Sequence, residues 1–155
     1  MKGAYLHGLE SPPKTIKNEY LSETFEFVYD PPMNYNDPEL FDTILAQLQK
    51  EPVDLIIGSS MGGYFAYHLS TLTGINTLLF NPAFVSHSIN PVVKTGLKKA
   101  KHTVVLGTCD YVIDPIKSLD FMRTRGFDAD LIHLEKIEHQ IPLDVYKKYV
   151  NNFMK

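Results

Sequence analysis

Short runs of apolar residues recur along the chain and alternate with segments whose apolar positions return every three or four residues. Continuous runs lie at residues 55–57, 78–80 and 104–106, a less clean run that contains His133 lies at 131–134, and residues 3–6 and 25–29 suggest two more short strands. Continuous apolar runs of this length are typical of parallel strands that are covered on both faces. The pattern therefore predicts a mostly parallel sheet of six short strands.

Four segments have the spacing of amphipathic helices. The first begins with Asp37 as its N-cap and Pro38 at the first helical position. The others follow the glycines at 62–63 and end before Gly74, run from about 115 to 125, and run from 143 to 153. Because strands and helices alternate, we expect an α/β fold, a three-layer sandwich with helices on both faces of the sheet. The apolar face of the first helix consists of Leu40, Phe41, Ile44, Leu45 and Leu48, and that of the second includes Phe65, Leu69 and Leu72.

The length and charge of the chain limit the number of domains and the classes of partner that it can have. At 155 residues, with no internal repeat and no linker-like tract, it has the size of one domain spanning residues 1–155. The net charge is −3, and the basic residues are scattered except for Lys98, Lys99 and Lys101. Such a charge pattern argues against a nucleic-acid partner.

Cysteine content and hydropathy bear on the compartment. Cys109 is the single cysteine, so no intrachain disulfide and no cysteine-based zinc cluster can form. The amino-terminal apolar stretch is too short for a signal peptide, and no run is long enough to span a membrane. We expect a cytoplasmic protein without a membrane partner.

One short motif contains a candidate nucleophilic serine. Residues 58–62 read Gly-Ser-Ser-Met-Gly, a G-x-S-x-G pattern between a predicted strand and a predicted helix. In that context the central Ser60 is expected on a tight, strained turn, where Gly58 and Gly62 avoid collisions. Ser59 is a second hydroxyl beside it. A phosphate-binding turn is the alternative, but its G-x-G-x-x-G and G-K-[ST] patterns are missing.

A nucleophilic serine needs a base, and His139 is the best placed histidine. It follows the strand predicted at 131–134 and precedes the last helix, whereas His102 precedes a predicted strand and His133 lies within one. His87 falls in an irregular stretch. The chain order serine, acid, histidine is the order found on parallel sheets that carry this turn. His139 is therefore the predicted general base.

The orienting carboxylate is expected after the strand at 104–106, where two aspartates compete. Asp110 lies in the loop that leaves the strand, and Asp114 precedes Pro115. Asp114 could instead cap the next helix. Asp110 is therefore the favoured acid, and Asp114 is the alternative.

The negatively charged oxygen of an acyl-transfer intermediate needs two hydrogen-bond donors. The Met61 amide, directly after the serine, is one candidate. The other is the Leu9 amide, in the loop that follows the first strand and contains His7 and Gly8. No metal or organic cofactor is implied by these residues.

Several of these segments together resemble the YqiA-type esterases, small bacterial proteins of the α/β-hydrolase fold. The likeness rests on HGLESPP at 7–13, GSSMGGY at 58–64, NPA at 81–83 and the segment 107–114. It implies a Ser60–His139–Asp110 triad, with Asn81 near the site. Two departures are Cys109 before the aspartate and residues 136–138 before His139, where the family often has glycine.

The covering segment after the NPA motif is short, because about twenty residues separate it from the strand at Thr103. A short or absent lid implies an open, shallow site. The resulting hypothesis is a serine esterase acting on small esters of short acyl groups. A thioesterase on the same triad, or a non-catalytic binding protein of this fold, is the alternative.

Overall fold

Six strands form one sheet in the computed structural model, which describes residues 1–9, 11–12, 15–87 and 98–155. Their order across the sheet is β2-β1-β3-β4-β5-β6, and every neighbouring pair is parallel. The mostly parallel sheet predicted from the apolar runs is confirmed. The strands are β1 (Lys2–Leu6), β2 (Phe27–Tyr29), β3 (Leu55–Ser59), β4 (Asn76–Phe80), β5 (His102–Gly107) and β6 (Ile132–Glu135).

Helices cover both faces of this sheet, as a three-layer sandwich requires. Within the described residues they are α1 (Ile16–Thr24), α2 (Leu40–Lys50), α3 (Met61–Thr73), α4 (Pro115–Thr124) and α5 (Leu143–Phe153). Apolar side chains of α2, α3 and α4 pack in one cluster, and those of α1 and α5 pack in the other.

Successive strand residues point into different clusters. In β4, Leu79 belongs to the cluster under α2, α3 and α4, whereas Leu78 and Phe80 belong to the cluster under α1 and α5. All three side chains are fully buried. Because side chains alternate along a strand, covering both faces requires the continuous apolar runs seen in the sequence.

The chain reverses direction across the sheet between β1 and β3. From β1 it moves to one side to form β2, and it then returns past β1 to add β3 to β6 in turn on the other side. In open parallel sheets ligands bind beyond the carboxyl ends of the strands at such a reversal. A ligand-binding site is therefore expected at the loops after β1 and β3.

Four predicted elements need correction. The strand predicted at 25–29 begins at Phe27, because Phe25 is the residue that caps the end of α1. The helix predicted to be capped by Asp37 begins at Leu40 instead, because the Asp37 carboxylate accepts from the Glu39 amide at 2.9 Å in a separate turn. His102 does not precede a strand but is the first residue of β5. Leu131 closes a short 3-10 turn, Ala129–Leu131, before β6 begins.

Helix α1 was not predicted, because its apolar positions form no clear stripe and only Leu21 is buried. Hydrogen bonds at its start stabilise it instead. The Thr15 hydroxyl accepts from the Lys17 amide at 3.3 Å, and the Asn18 side chain accepts from the Thr15 amide at 2.8 Å. This reciprocal capping satisfies amides that a helix start otherwise leaves unpaired.

The other helix predictions are confirmed. Helix α3 ends before Gly74, whose φ of 79° is the left-handed conformation typical of a residue that follows a helix. Helix α4 begins at Pro115, and α5 has the predicted bounds. In the part of the chain that the structure describes, no helix is long and apolar enough to cross a membrane. The predicted short covering segment includes residues 88–97, which lie outside the described residues, as do Glu10 and Pro13 of the amino-terminal motif.

Candidate active site

Ser60 lies on the sharp turn between β3 and α3. Its φ of 52° and ψ of −118° are unusual for a residue with a side chain. Two contacts with the neighbouring segment fix it: the Ser60 amide donates to the Phe80 carbonyl at 2.9 Å, and the Ser60 carbonyl accepts from the Ala83 amide at 2.9 Å. These two bonds hold the strained turn against the end of β4 and the segment that follows it, so that the serine lies at the carboxyl edge of the sheet.

The two glycines of the motif are required by close packing. A Cβ at Gly58 would lie 2.5 Å from the Gly62 carbonyl oxygen, and a Cβ at Gly62 would overlap the Leu6 carbonyl oxygen at the end of β1. Both are backbone atoms that cannot move aside cheaply. The glycines therefore let α3 start directly against β1 and β3, the steric role that the sequence pattern predicts.

The structure brings Ser60, His139 and Asp110 into one hydrogen-bonded row. His139 Nε2 lies 3.1 Å from Ser60 Oγ, and His139 Nδ1 lies 2.8 Å from Asp110 Oδ2. Because an ionised carboxylate only accepts hydrogen bonds, Nδ1 carries the proton and Nε2 is free to accept from the serine hydroxyl. The His139 side chain is 24% exposed and the Asp110 side chain 1% exposed, so the acid is buried and the base reaches solvent.

The two competing aspartates have different contacts. One oxygen of Asp110 faces His139, and the other accepts from the amides of Val112 at 2.8 Å and Ile113 at 2.9 Å. Asp114 caps α4, where its Oδ1 accepts from the Ile116 and Lys117 amides. The geometry therefore joins Asp110, and not Asp114, to His139.

The loop after β1 lies next to the serine. A Cβ at Gly8 would come 3.3 Å from Ser60 Cβ, and Leu9, the next residue, lines the same cleft as Ser60. His7 is buried, its Nδ1 donates to the Gly8 carbonyl at 2.8 Å, and its own carbonyl accepts from the Tyr35 hydroxyl. These bonds stabilise the loop conformation at the edge of the site.

Two backbone amides are placed as candidate donors for a negatively charged oxygen. The Met61 amide opens α3, where an amide has no acceptor within the helix and where the helix dipole favours negative charge. Among the described residues, no hydrogen bond uses the Leu9 amide. Leu9, Ser60 and Met61 line the same cleft, as the sequence-based interpretation requires.

Ser59 and Asn81 lie beside the row without joining it. Ser59 ends β3 next to the Tyr5 phenol, whose pKa is raised to about 12 by burial. Asn81 follows β4 with a φ of 41°, and its side chain contacts the backbone that carries His139. The sequence placed Asn81 near the site but gave no indication of these contacts.

An open cleft of about 450 Å³ lies over Ser60. Besides Leu9, Ser60 and Met61 it is lined by residues that the sequence reasoning did not select: Ala83, Val85, Ser86, His87, Val112 and Ile113. A second groove, of about 470 Å³, shares Val85, Ser86 and Val112 with it and continues toward Tyr111 and Pro115. The walls near the serine are therefore mainly apolar, with Ser86 and His87 as the polar exceptions.

His87 stacks on the Tyr64 ring, with ring centroids 4.5 Å apart and 12° between the planes. Its Nδ1 donates to the Ala83 carbonyl at 3.2 Å. His68 packs edge-on against the same Tyr64 ring, and burial lowers the pKa of His68 to about 4. No sequence pattern marks this arrangement, because the stack forms between helix α3 and the irregular segment after β4.

Within the described residues, no group of three or more histidine, cysteine, aspartate or glutamate side chains is arranged to hold a metal ion. Cys109 is half-buried beside Asp110, and its amide donates to the Ile137 carbonyl at 3.1 Å.

Solved structures similar to this chain belong to the α/β-hydrolase fold. A Xanthomonas campestris pv. campestris protein described as a hydrolase of the alpha/beta superfamily has 15% identity and a TM-score of 0.69, over 99% of this chain and 98% of that one. MGS-MChE2, an alpha/beta hydrolase enzyme from a lagoon-sediment metagenome, has 13% identity and a TM-score of 0.72, over 99% and 90%. Esterase PE8 has 16% identity and a TM-score of 0.67, over 99% and 91%. These likenesses establish the fold, which is that of α/β hydrolases.

No curated protein matches the chain at a significant level. A family model does match, over residues 3–136, and it is described as an uncharacterised protein family, UPF0227. The matched range contains Ser60 and Asp110 and ends before His139. The chain therefore belongs to the UPF0227 family, and its predicted resemblance to the small YqiA-type proteins of the α/β-hydrolase fold is confirmed at the level of the family.

Proposed function

We propose that this protein is a serine hydrolase that cleaves carboxylic esters through a covalent acyl-enzyme. The observation that carries the proposal is the hydrogen-bonded row from Ser60 Oγ through His139 to the buried Asp110 carboxylate. A nucleophile, a base and an orienting acid within hydrogen-bond reach are the requirement of this chemistry. The esterase and hydrolase names of the similar structures agree with it.

In the first half of the reaction, Ser60 Oγ attacks the ester carbonyl carbon while His139 Nε2 takes the hydroxyl proton. Asp110 holds the imidazole in the tautomer that can accept this proton and stabilises the imidazolium that forms. The carbonyl oxygen becomes negatively charged in the tetrahedral intermediate, where the Met61 and Leu9 amides donate to it. His139 then gives the proton to the departing alcohol, and the acyl group stays on Ser60.

In the second half, water replaces the alcohol. His139 takes a proton from the water, the resulting hydroxide attacks the acyl carbonyl, and the proton returns to Ser60 as the carboxylic acid leaves. Among the described residues the cleft over Ser60 is open to solvent, which agrees with entry of water and with small esters of short acyl groups. A thioester would follow the same steps with a thiol as the leaving group.

Replacing the nucleophile tests the proposal. The S60A variant should retain the wild-type melting temperature and lose at least about 10³-fold in kcat on a short-chain nitrophenyl ester, because no other group can form the acyl-enzyme. The S22A variant is the matched control, since Ser22 lies exposed on α1 and away from the cleft. A fluorophosphonate probe should add its mass to Ser60 in the wild type and in S22A.

Two results would contradict the proposal. One is an S60A variant that keeps its turnover, and the other is a wild type that neither turns over esters nor reacts with the probe. The second result would favour a non-catalytic binding protein on this fold. A parallel series of oxygen esters and thioesters, matched in acyl chain, would measure which bond is preferred.

A further inference from the structure

Asn81 occupies a strained position at the edge of the sheet. It follows β4 directly, its φ is 41°, and only 2% of the residue is exposed. Its backbone N–H donates to the Val105 carbonyl in β5 at 2.9 Å. Asparagine adopts this left-handed conformation more readily than most residues with a side chain, so the backbone can turn here without a glycine.

The Asn81 side chain connects two loops. Its Oδ1 accepts from the Gly107 amide at 2.7 Å, and its Nδ2 donates to the carbonyls of Glu138 at 3.2 Å and His139 at 2.9 Å. A backbone amide can only donate and a carbonyl can only accept, so the orientation of the Asn81 amide is unambiguous. The oxygen and the nitrogen of this side chain are therefore committed to different segments of backbone.

The loop that carries His139 runs between β6 and α5, and it is anchored through three consecutive carbonyls. The Ile137 carbonyl accepts from the Cys109 amide at 3.1 Å, and Asn81 holds the carbonyls of Glu138 and His139. This loop also passes directly over Gly107, where a Cβ would come 2.5 Å from the Ile137 carbonyl oxygen. Asn81 supplies two of these three anchors with one side chain.

We infer that Asn81 is a positioning residue, which holds His139 at the distance from Ser60 and Asp110 that proton transfer requires. It acts on both members of the His139–Asp110 pair: through Gly107 it fixes the start of the loop that carries Asp110, and through Nδ2 it fixes the backbone of His139. The inference rests on the proposed function, since it assigns Asn81 a role in the proposed triad. A neutral amide suits this role because it binds the His139 loop without adding a charge to it.

Two substitutions separate the backbone conformation from the hydrogen bonds. N81G keeps access to the positive φ and removes the whole side chain. N81D keeps an oxygen for the Gly107 amide but replaces the donor with a carboxylate oxygen, which faces two carbonyl oxygens. For both variants we expect kcat to fall about 10–100-fold and KM to stay within about twofold, because a displaced base slows proton transfer without altering the cleft.

Asn76 provides the matched control at the opposite end of the same strand. Its Oδ1 accepts from the Lys101 amide at 2.9 Å, so it also joins β4 to the segment that leads into β5, but far from Ser60. N76G and N76D should therefore keep the wild-type kcat. Melting temperatures of all four variants would separate lost stability from lost positioning.

A spectroscopic readout tests the inference independently of turnover. The proton that His139 Nδ1 shares with Asp110 should give a strongly deshielded NMR signal in the wild type and in S60A, and this signal should be broadened or lost in N81G. If N81G keeps both the signal and a kcat within twofold of wild type, the inference is wrong, even if N81D fails to fold. If the wild type has no esterase activity but N81G still loses the signal, the proposed function fails and the positioning role stands.

Discussion

At the scale of single residues, Asp110 and Asp114 show how neighbouring identical side chains acquire different roles. Both accept from two successive amides of the backbone that follows them. In Asp110 this leaves the second oxygen buried and facing His139, whereas in Asp114 the second oxygen lies on the surface, 4.0 Å from Lys117. The difference comes from the packing of the His139 loop against β5.

Substitution of the two aspartates should therefore have different results. In D110N the amide oxygen can keep the two backbone bonds, so that the NH₂ group faces His139 Nδ1 and forces the wrong tautomer; we expect kcat to fall about 10³–10⁴-fold. In D114N the helix cap is retained, because asparagine caps as well as aspartate does, and kcat should not change. Steady-state kinetics and thermal unfolding would measure both effects, and a D114N variant that loses activity while D110N keeps it would reverse the assignment.

The role proposed for Leu9 depends on its backbone amide and not on its side chain. The L9A side-chain substitution should therefore alter kcat by less than about threefold, whereas loss of a donor typically costs about 10²–10³-fold. The comparison variant is L9P, since proline has no amide hydrogen. Kinetics of the two variants on one ester would separate the contribution of the Leu9 amide to kcat from that of the side chain. Equal kcat values would exclude the amide as a donor to the negatively charged oxygen.

At the scale of elements, the amino-terminal end of β5 carries a half-buried histidine that lies apart from the site. His102 Nδ1 is 2.9 Å from the Thr77 hydroxyl on β4, and the ring packs against Tyr67 and Phe127. Burial lowers the pKa of His102 to about 4, as it does for His68 on α3. Both rings are therefore neutral in the folded protein near neutral pH.

The lowered pKa values predict loss of stability in mild acid. An unfolded histidine has a pKa near 6.5, so between about pH 6.5 and 4 the unfolded chain binds protons that the folded chain does not. The free energy of unfolding should fall as the pH decreases through this range, by about 1–3 kcal/mol for each of the two rings. In H102Q the fall between pH 7 and 5 should be smaller than in the wild type, measured by urea unfolding, and an unchanged slope would contradict the assignment.

At the scale of the whole molecule, Tyr146 joins the layer of α1 and α5 to the sheet. Its ring is fully buried and packs against Tyr5, Tyr20 and Phe80, which belong to two strands and α1. Its hydroxyl has no hydrogen-bond partner among the described residues, and burial raises its pKa well above the usual value. The ring therefore stabilises the packing of this layer on the sheet, whereas the hydroxyl lowers the free energy of unfolding.

Substitutions of Tyr146 should separate the two contributions. Y146A removes the ring and should lower the free energy of unfolding by about 3–5 kcal/mol, as truncation of buried aromatic residues does. Y146F removes only the unpaired hydroxyl and should raise the free energy of unfolding by about 1 kcal/mol, because a buried donor without a partner is costly. Chemical denaturation would test both, and a strongly destabilised Y146F would indicate that the hydroxyl is hydrogen-bonded in solution.

The whole molecule also explains why the site lies where it does. Ser60 follows β3, Leu9 follows β1, and these two strands are neighbours at the point where the chain changes direction across the sheet. Asp110 follows β5 and His139 follows β6. Asn81 follows β4, which lies between β3 and β5. In a parallel sheet all these strand ends meet at one edge, which assembles the site from loops distant in sequence.

The sequence by itself determined the features that depend on near neighbours along the chain. The strand, tight turn and helix around Ser60 are local, since the glycines and apolar positions that require them lie within a few residues. The bounds of α4 and α5 are local for the same reason. The choice of His139 needed only its order relative to the strands.

Only the tertiary structure decided the features that depend on contacts across the sheet. The side chains of Ser60 and His139 meet across 79 residues, and the amide of Asn81 reaches the carbonyl of His139 across 58. The stack of His87 on Tyr64 and the pairing of His139 with Asp110 rather than Asp114 likewise form between separate segments. Periodicity describes which face of an element is buried, but hydrogen bonds between loops depend on how the elements pack, and a single sequence does not specify that packing directly.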